Sequence, residues 1–391
     1  MKTEFSALAF PGFSFFFLGF VSLAALGCQP QTAAESPEPG PALKSVTTPT
    51  MVVTDKEALS TIDLLDRADE HLREERYEKA VSDYRLVVEN SLQSITRREA
   101  LLGWGTALDL GGQPRQALVV YSRYVSEAPE SPSRDKIAVR VVRLLVYLER
   151  YDEARARALI LDLGSLAELE QIAIYGALAL GALESGSLSE AESNISRARN
   201  LVDAGGFDRV GTPPLDVAAL YFALGEVRRQ RAAAIDFDPL PSDFATALEQ
   251  RCQLILDAQS AYSESMRSQD AHFSSMSGVR VGELYHSLHQ DIVSIPSPAQ
   301  AASQESQQLF EGAMRLRYSI LLRKSLSMMQ ATVDLLERSE GQTRWREQAQ
   351  GFLEEIRLAR DQEESAIDAL PYTRAQLQQV LDEMAQRSQQ P

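Results

Sequence analysis

The chain has 391 residues, 44% of them hydrophobic, enough for one long helical superstructure or two domains. Its formal net charge of −16 argues against a nucleic-acid surface, which needs a clustered basic face. The only cysteines are Cys28 and Cys252, so no disulfide framework can hold the fold.

From Phe5 to Gly27 the chain is almost wholly apolar, with Lys2 just ahead of it, and the run stops at Leu26-Gly27-Cys28. An apolar run ending at a small residue and then cysteine resembles a bacterial lipoprotein signal peptide. The resemblance implies that residues 1–27 are removed and that Cys28 becomes the lipidated first residue of the mature protein. It further implies a place in the cell envelope. Gln29, standing where some bacteria use aspartate for inner-membrane retention, favours the outer membrane with the chain facing the periplasm. The alternative is an uncleaved anchor, since the 23 residues from Phe5 to Gly27 suffice to cross a bilayer.

Residues 28–56 read as a tether. Pro30, Pro37, Pro39, Pro41 and Pro49 alternate with polar residues and cannot build a packed core. Such a segment spans ~30 Å when flexible and at most ~85 Å when polyproline-like, holding the folded part of the chain off the membrane. With Cys28 lipidated, Cys252 is left alone beside Leu254 and Leu256 and reads as a small apolar residue.

Residues 57–203 carry an internal repeat. Tyr77-Glu78-Lys79-Ala80, Pro114-Arg115-Gln116-Ala117, Tyr151-Asp152-Glu153-Ala154 and Leu188-Ser189-Glu190-Ala191 follow one another at a fixed step of 37 residues. Twelve residues before each alanine stands another small or slim residue, Ala68, Gly105, Val142 or Ala179. A fixed period of this size predicts stacked helical hairpins, hence an all-α superhelix. The turns fall at Glu75-Arg76, Gly111-Gly112-Gln113, Glu149-Arg150 and Ser185-Gly186-Ser187, and Pro114 suits a first helical turn. The small residues mark where paired helices cross.

This pattern resembles the tetratricopeptide repeat. Leu101, Gly105, Leu108, Ala117, Tyr121 and Pro129 occupy the signature positions in the second unit, and Leu64, Ala68, Ala80 and Tyr84 in the first. Arg67 and His71 stand where apolar residues are usual.

Past residue 203 the regular series ends at Gly205-Gly206 and Pro213-Pro214. The 215–388 region is expected to be helical throughout, with divergent repeats as one reading of part of it. Apolar spacing predicts helices over Leu215–Ile235 and at about 243–268, 271–293, 301–338, 343–365 and 373–387. Gly278, Val281, Gly282 and Tyr285 match the spacing of a repeat's first helix, the two glycines permitting close packing. Met314, Leu321, Leu322, Leu326, Met329, Val333 and Leu336 form an apolar stripe that either joins the core or mates with a second copy.

Residues that carry chemistry are few. Glu283, His286 and His289 recur at steps of three and are the only metal-ligand candidates, but the HExxH order is absent and a polar helix face is the plainer reading. Neither GxxxxGK[ST] nor GxSxG occurs, and no catalytic set, cofactor or small-molecule substrate is indicated. The repeat resemblance implies function on the inner face of the first helices. Its groove positions fall on Leu65, Asp69 and Leu72, then Leu102, Thr106 and Asp109, then Val139, Arg143 and Val146, and finally Leu180 and Leu183. Such a surface suits an extended peptide or partner helix, aliphatic anchors giving area and charges setting register. The alternative is that these aliphatics seal neighbouring helices or lie beneath the chain's own C-terminal helices. The expectation is a non-catalytic scaffold that holds a protein partner, with a self-associating envelope protein or a metal protein as the rival readings.

Overall fold

The computed structural model describes residues 60–91, 93–209, 211–297, 303–338 and 344–388. The segment 1–27, Cys28 and the tether 28–56 lie outside the described residues. Among those described, the chain forms fourteen α-helices and one short 3-10 turn, with no strand, so the fold is all-α.

The first eight helices form four hairpins. These are α1 (Thr61–Arg73) with α2 (Tyr77–Asn90), α3 (Ser94–Leu110) with α4 (Pro114–Glu127), α5 (Arg134–Tyr147) with α6 (Tyr151–Ala158), and α7 (Glu168–Glu184) with α8 (Leu188–Gly205). Ser60 caps α1 by accepting from the Asp63 N–H at 3.1 Å, while the Asp63 carboxylate accepts from the Ser60 N–H at 3.2 Å.

The step of 37 residues is written in the backbone. Glu75, Gly112, Glu149 and Gly186 have φ of 58°, 71°, 58° and 76°. After each, an N–H donates to the carbonyl five residues back: Arg76 to His71, Gln113 to Leu108, Arg150 to Leu145 and Ser187 to Ala182. This closure satisfies the last carbonyls of one helix and turns the chain into the next, and it requires a left-handed residue. Glycine adopts that conformation freely, whereas Glu75 and Glu149 do so at a cost on the order of 1 kcal/mol each.

Ala68, Val142 and Ala179, together with Ala80, Ala117, Ala154 and Ala191, are completely buried where paired helices cross. A Cβ on Gly105 would lie 2.5 Å from the Tyr121 ring, so only glycine admits that ring. Arg67 and His71 fill their apolar-type positions with polar groups: Arg67 donates twice to Asp83 of α2, at 2.7 and 2.6 Å, and His71 Nε2 stands 3.7 Å from the same carboxylate.

The C-terminal half contains α9 (Leu215–Ala233), α10 (Phe244–Met266), α11 (Ala271–Val293), α12 (Gln304–Arg338), α13 (Arg344–Asp368) and α14 (Arg374–Ser388), close to the spans that apolar spacing predicts. Two of these pairs repeat the close-crossing device. A Cβ on Gly225 of α9 would meet the Tyr262 ring of α10 at 2.5 Å, and one on Gly282 of α11 would meet Met329 of α12 at 2.6 Å. α9 packs on α7 and α10, α11 on α12, and α13 and α14 on α12. Met314, Leu321, Leu322, Met329, Val333 and Leu336 are all buried, so the α12 stripe packs within the chain. One apolar core runs from Ala68 in α1 to Ile356 in α13.

A buried charge cluster ties three of these helices together. Glu226 of α9 accepts from Tyr262 Oη at 2.6 Å and Arg229 Nη2 at 2.7 Å, and lies 3.1 Å from Arg280 Nε of α11. Burial opposes ionisation of Glu226, but the charges of Arg280 and Arg229 prevail and hold its pKa below the usual carboxylate value.

Candidate functional site

The inner face of the superhelix opens into a cavity of about 830 Å³. Its walls come from the α3–α4 turn, α5, α7, the start of α9 and the start of α11, which residues such as Gln113, Arg140, Ala173, Asp216 and His272 represent. Elements more than a hundred residues apart thus share one wall, because the later helices return to the turn that follows α5.

Two arginines on α5 organise the site. Arg140 donates from Nε and Nη2 to the two oxygens of Asp109, each at 2.6 Å. Arg143 donates in the same two-pronged way to Asp216 of α9, at 2.9 and 2.7 Å. Such fork-on-fork pairs fix both partners in direction as well as distance. Burial disfavours the charge on Arg140, yet the Asp109 hydrogen bonds and charge outweigh it and raise its pKa. At Asp216 burial has the larger effect and pushes the carboxyl up, against the pull of Arg143.

The far wall is aromatic. Tyr147, at the end of α5, lies 4.4 Å from the His272 ring and 6.4 Å from Phe273, centre to centre. Asp270 caps α11 by accepting from the Phe273 N–H at 3.0 Å. His272 is 6% exposed and its Nε2 has no hydrogen-bond partner; Glu149 Oε1 stands 4.0 Å away. Burial lowers the His272 pKa to about 4, Asp270 pulling the other way, so the ring is neutral at physiological pH.

Of the groove positions expected from the repeat pattern, Asp109, Arg143 and Val146 line this cavity. Leu65, Leu72, Leu102 and Thr106 are half-buried on α1 and α3, and Asp69 is exposed. Asp69 accepts from Tyr84 Oη at 2.5 Å, and Thr106 accepts from Tyr121 Oη at 3.3 Å, the equivalent bond in the next repeat. Val139 and Leu180, at 0% and 2% exposure, are core residues rather than open groove, and Leu183 is buried as well. The reason lies in the fold: α9 packs over α7, which carries Leu180 and Leu183, while α5, which carries Val139, packs against α4, α6 and α7. Val146 is also buried, although it borders the cavity.

Spacing alone misses Arg140, Tyr147, Asp216 and His272. One signal was present. Arg140 and Arg143 interrupt the apolar run from Ile137 to Val146, and charges in such a helix must find acidic partners.

The metal-ligand candidates are held apart. Glu283 accepts from Arg280 Nη1 at 2.7 Å, His286 Nδ1 lies 3.8 Å from Glu355, and the His286 ring stands 5.5 Å from Phe352. His289 is 3% exposed, and burial, followed by His286 and Arg315, lowers its pKa to about 4. Among the described residues no group of three or more His, Cys, Asp or Glu side chains is placed to hold a metal ion.

No family model and no curated protein matches this chain. Among solved structures it is similar to a tetratricopeptide repeat protein from Parabacteroides merdae, with a TM-score of 0.40 and 11% sequence identity, over 76% of this chain and 98% of that one.

Proposed function

We propose that this chain is a lipid-anchored scaffold of the bacterial cell envelope that binds a protein partner on the inner face of its helical repeats. The observation that carries this reading is the cavity on that face, lined from five separate elements, with Leu65, Leu72 and Leu102 half-buried at the groove positions of α1 and α3. A binding surface needs shape and a few fixed polar groups, and the two arginine–aspartate forks supply rigid ones. The anchor rests on the sequence of residues 1–28, with Cys28 as the lipidated residue and the outer membrane as the favoured site.

Site-specific photo-crosslinking in cells tests both parts. Crosslinkers at Leu65, Leu102 and Gln116 are expected to capture one defined envelope protein, and a crosslinker at the exposed Leu86 of α2, outside the cavity lining, is not. Capture only of copies of the chain itself supports the self-association reading instead. Equal capture from Leu86 overturns the inner-face assignment. The Cys28→Ser variant is expected to leave the membrane fraction, and unchanged membrane association overturns the anchor.

A further inference from the structure

Arg140 and Arg143 each offer five N–H donors, and their hydrogen bonds to Asp109 and Asp216 engage only Nε and Nη2. The Nη1 group of each remains available beside the cavity. His272 adds a neutral imidazole nitrogen that can give or take one hydrogen bond. The carboxylates of the lining are already engaged: Asp109 and Asp216 by the arginines, Asp270 by the Phe273 N–H, and Glu149 by Trp345 Nε1 at 3.0 Å. The arginines thus leave donors over, while His272, the Tyr147 hydroxyl and the amides of Gln113 and Gln116 add groups that can give or take a hydrogen bond.

Charge narrows the ligand further. Three arginines of the lining, Arg115, Arg140 and Arg143, face four carboxylates, so the site is close to balanced and slightly negative. An added carboxylate would sit beside Asp109 and Asp216 in a partly buried place, where like charges repel strongly. A peptide unit brings acceptors and a donor without net charge. Its neighbouring side chains would meet apolar parts of the wall such as Leu144, Ala173, Leu215 and Ala219. At about 830 Å³ the space falls within the range of cavities that enclose a ligand segment.

We propose that the cavity holds an extended, uncharged stretch of the partner's polypeptide, gripped through its peptide units by Arg140, Arg143 and His272. This rests on the scaffold reading above and specifies its partner: main-chain recognition of an internal segment rather than capture of an acidic side chain or a chain terminus.

The test is selection of short linear peptides, displayed with both ends blocked, against the full chain. Enriched sequences are expected to share an uncharged run, and their synthetic copies to bind equally as C-terminal acid or amide. Leu215→Trp, which fills the mouth, and His272→Phe, which keeps the ring against Tyr147 but removes its nitrogens, are each expected to weaken binding roughly tenfold or more. Thermal unfolding of both variants verifies that they remain folded. A required Asp, Glu or free carboxylate, equal binding to the variants, or no enrichment at all overturns the proposal. The scaffold reading fails separately: crosslinks from Leu65 and Leu102 to an envelope protein preserve it even if the cavity selects nothing.

Discussion

Glu149, held in the left-handed conformation at the third hairpin turn, accepts a hydrogen bond from Nε1 of Trp345, 196 residues further along. Trp345 is 2% exposed, so this bond satisfies a donor that water cannot reach. Two unrelated demands thus meet on one residue, backbone strain and long-range satisfaction.

That pairing separates two equivalent turns. Glu75→Gly is expected to stabilise the protein by about 0.5–1 kcal/mol, since glycine relieves the left-handed strain. Glu149→Gly relieves the same strain but removes the acceptor of the indole N–H at a penalty of about 1–3 kcal/mol, and is expected to be net destabilising. Thermal unfolding of the two variants side by side measures the difference, and equal shifts would show that the Trp345 bond contributes nothing.

Arg143→Met leaves Asp216, 11% exposed, as a buried charge without its partner. The expected loss is about 3 kcal/mol, and the double variant Arg143→Met/Asp216→Leu is expected to recover most of it, because removing both charges removes the desolvation penalty. Denaturant unfolding of the cycle decides this. Arg143 is consequently a poor site at which to probe partner binding, since its loss disturbs the fold first.

The buried histidines set an acid limit. His272 and His289 have pKa values of about 4 in the folded chain, against 6.5 for the unperturbed side chain. Above pH 6.5 neither state binds the proton and no penalty exists. As pH falls below that, the unfolded chain takes protons the folded chain refuses. Stability therefore declines through the window from about 6.5 to about 4, on the order of 3 kcal/mol for each histidine. Stability measured against pH for His289→Phe should show a shallower decline than wild type, and an unchanged slope would overturn the assignment.

Gly105→Ala places a methyl group where Tyr121 already packs, and Gly225→Ala does the same to Tyr262. Overpacking of this kind costs roughly 1–3 kcal/mol. Gly225→Ala is expected to be the worse of the two, because Tyr262 is fully buried and its hydroxyl donates to Glu226. The melting temperatures of both variants verify the order.

Much of the fold was legible in the residues. The 37-residue step, the small residues at each crossing and the glycines at two of four turns are local features, and each recurs in the structure at its expected place. The groove was legible only in part. Repeat positions located Asp109 and Arg143, but they left open whether Val139 and Leu180 face the groove or are sealed, since nothing in the periodicity reveals how α7 packs on α5 or α9 on α7.

By itself the sequence determined the hairpins, because helix period, turn chemistry and crossing residues act over a few tens of residues and repeat. Only the tertiary structure decided which distant groups meet: Arg143 with Asp216, Tyr147 with His272, Glu149 with Trp345. Those meetings depend on the rotation accumulated from one repeat to the next, a sum of small angles that no single spacing encodes. The cavity exists where that sum brings α9 and α11 back to the turn after α5.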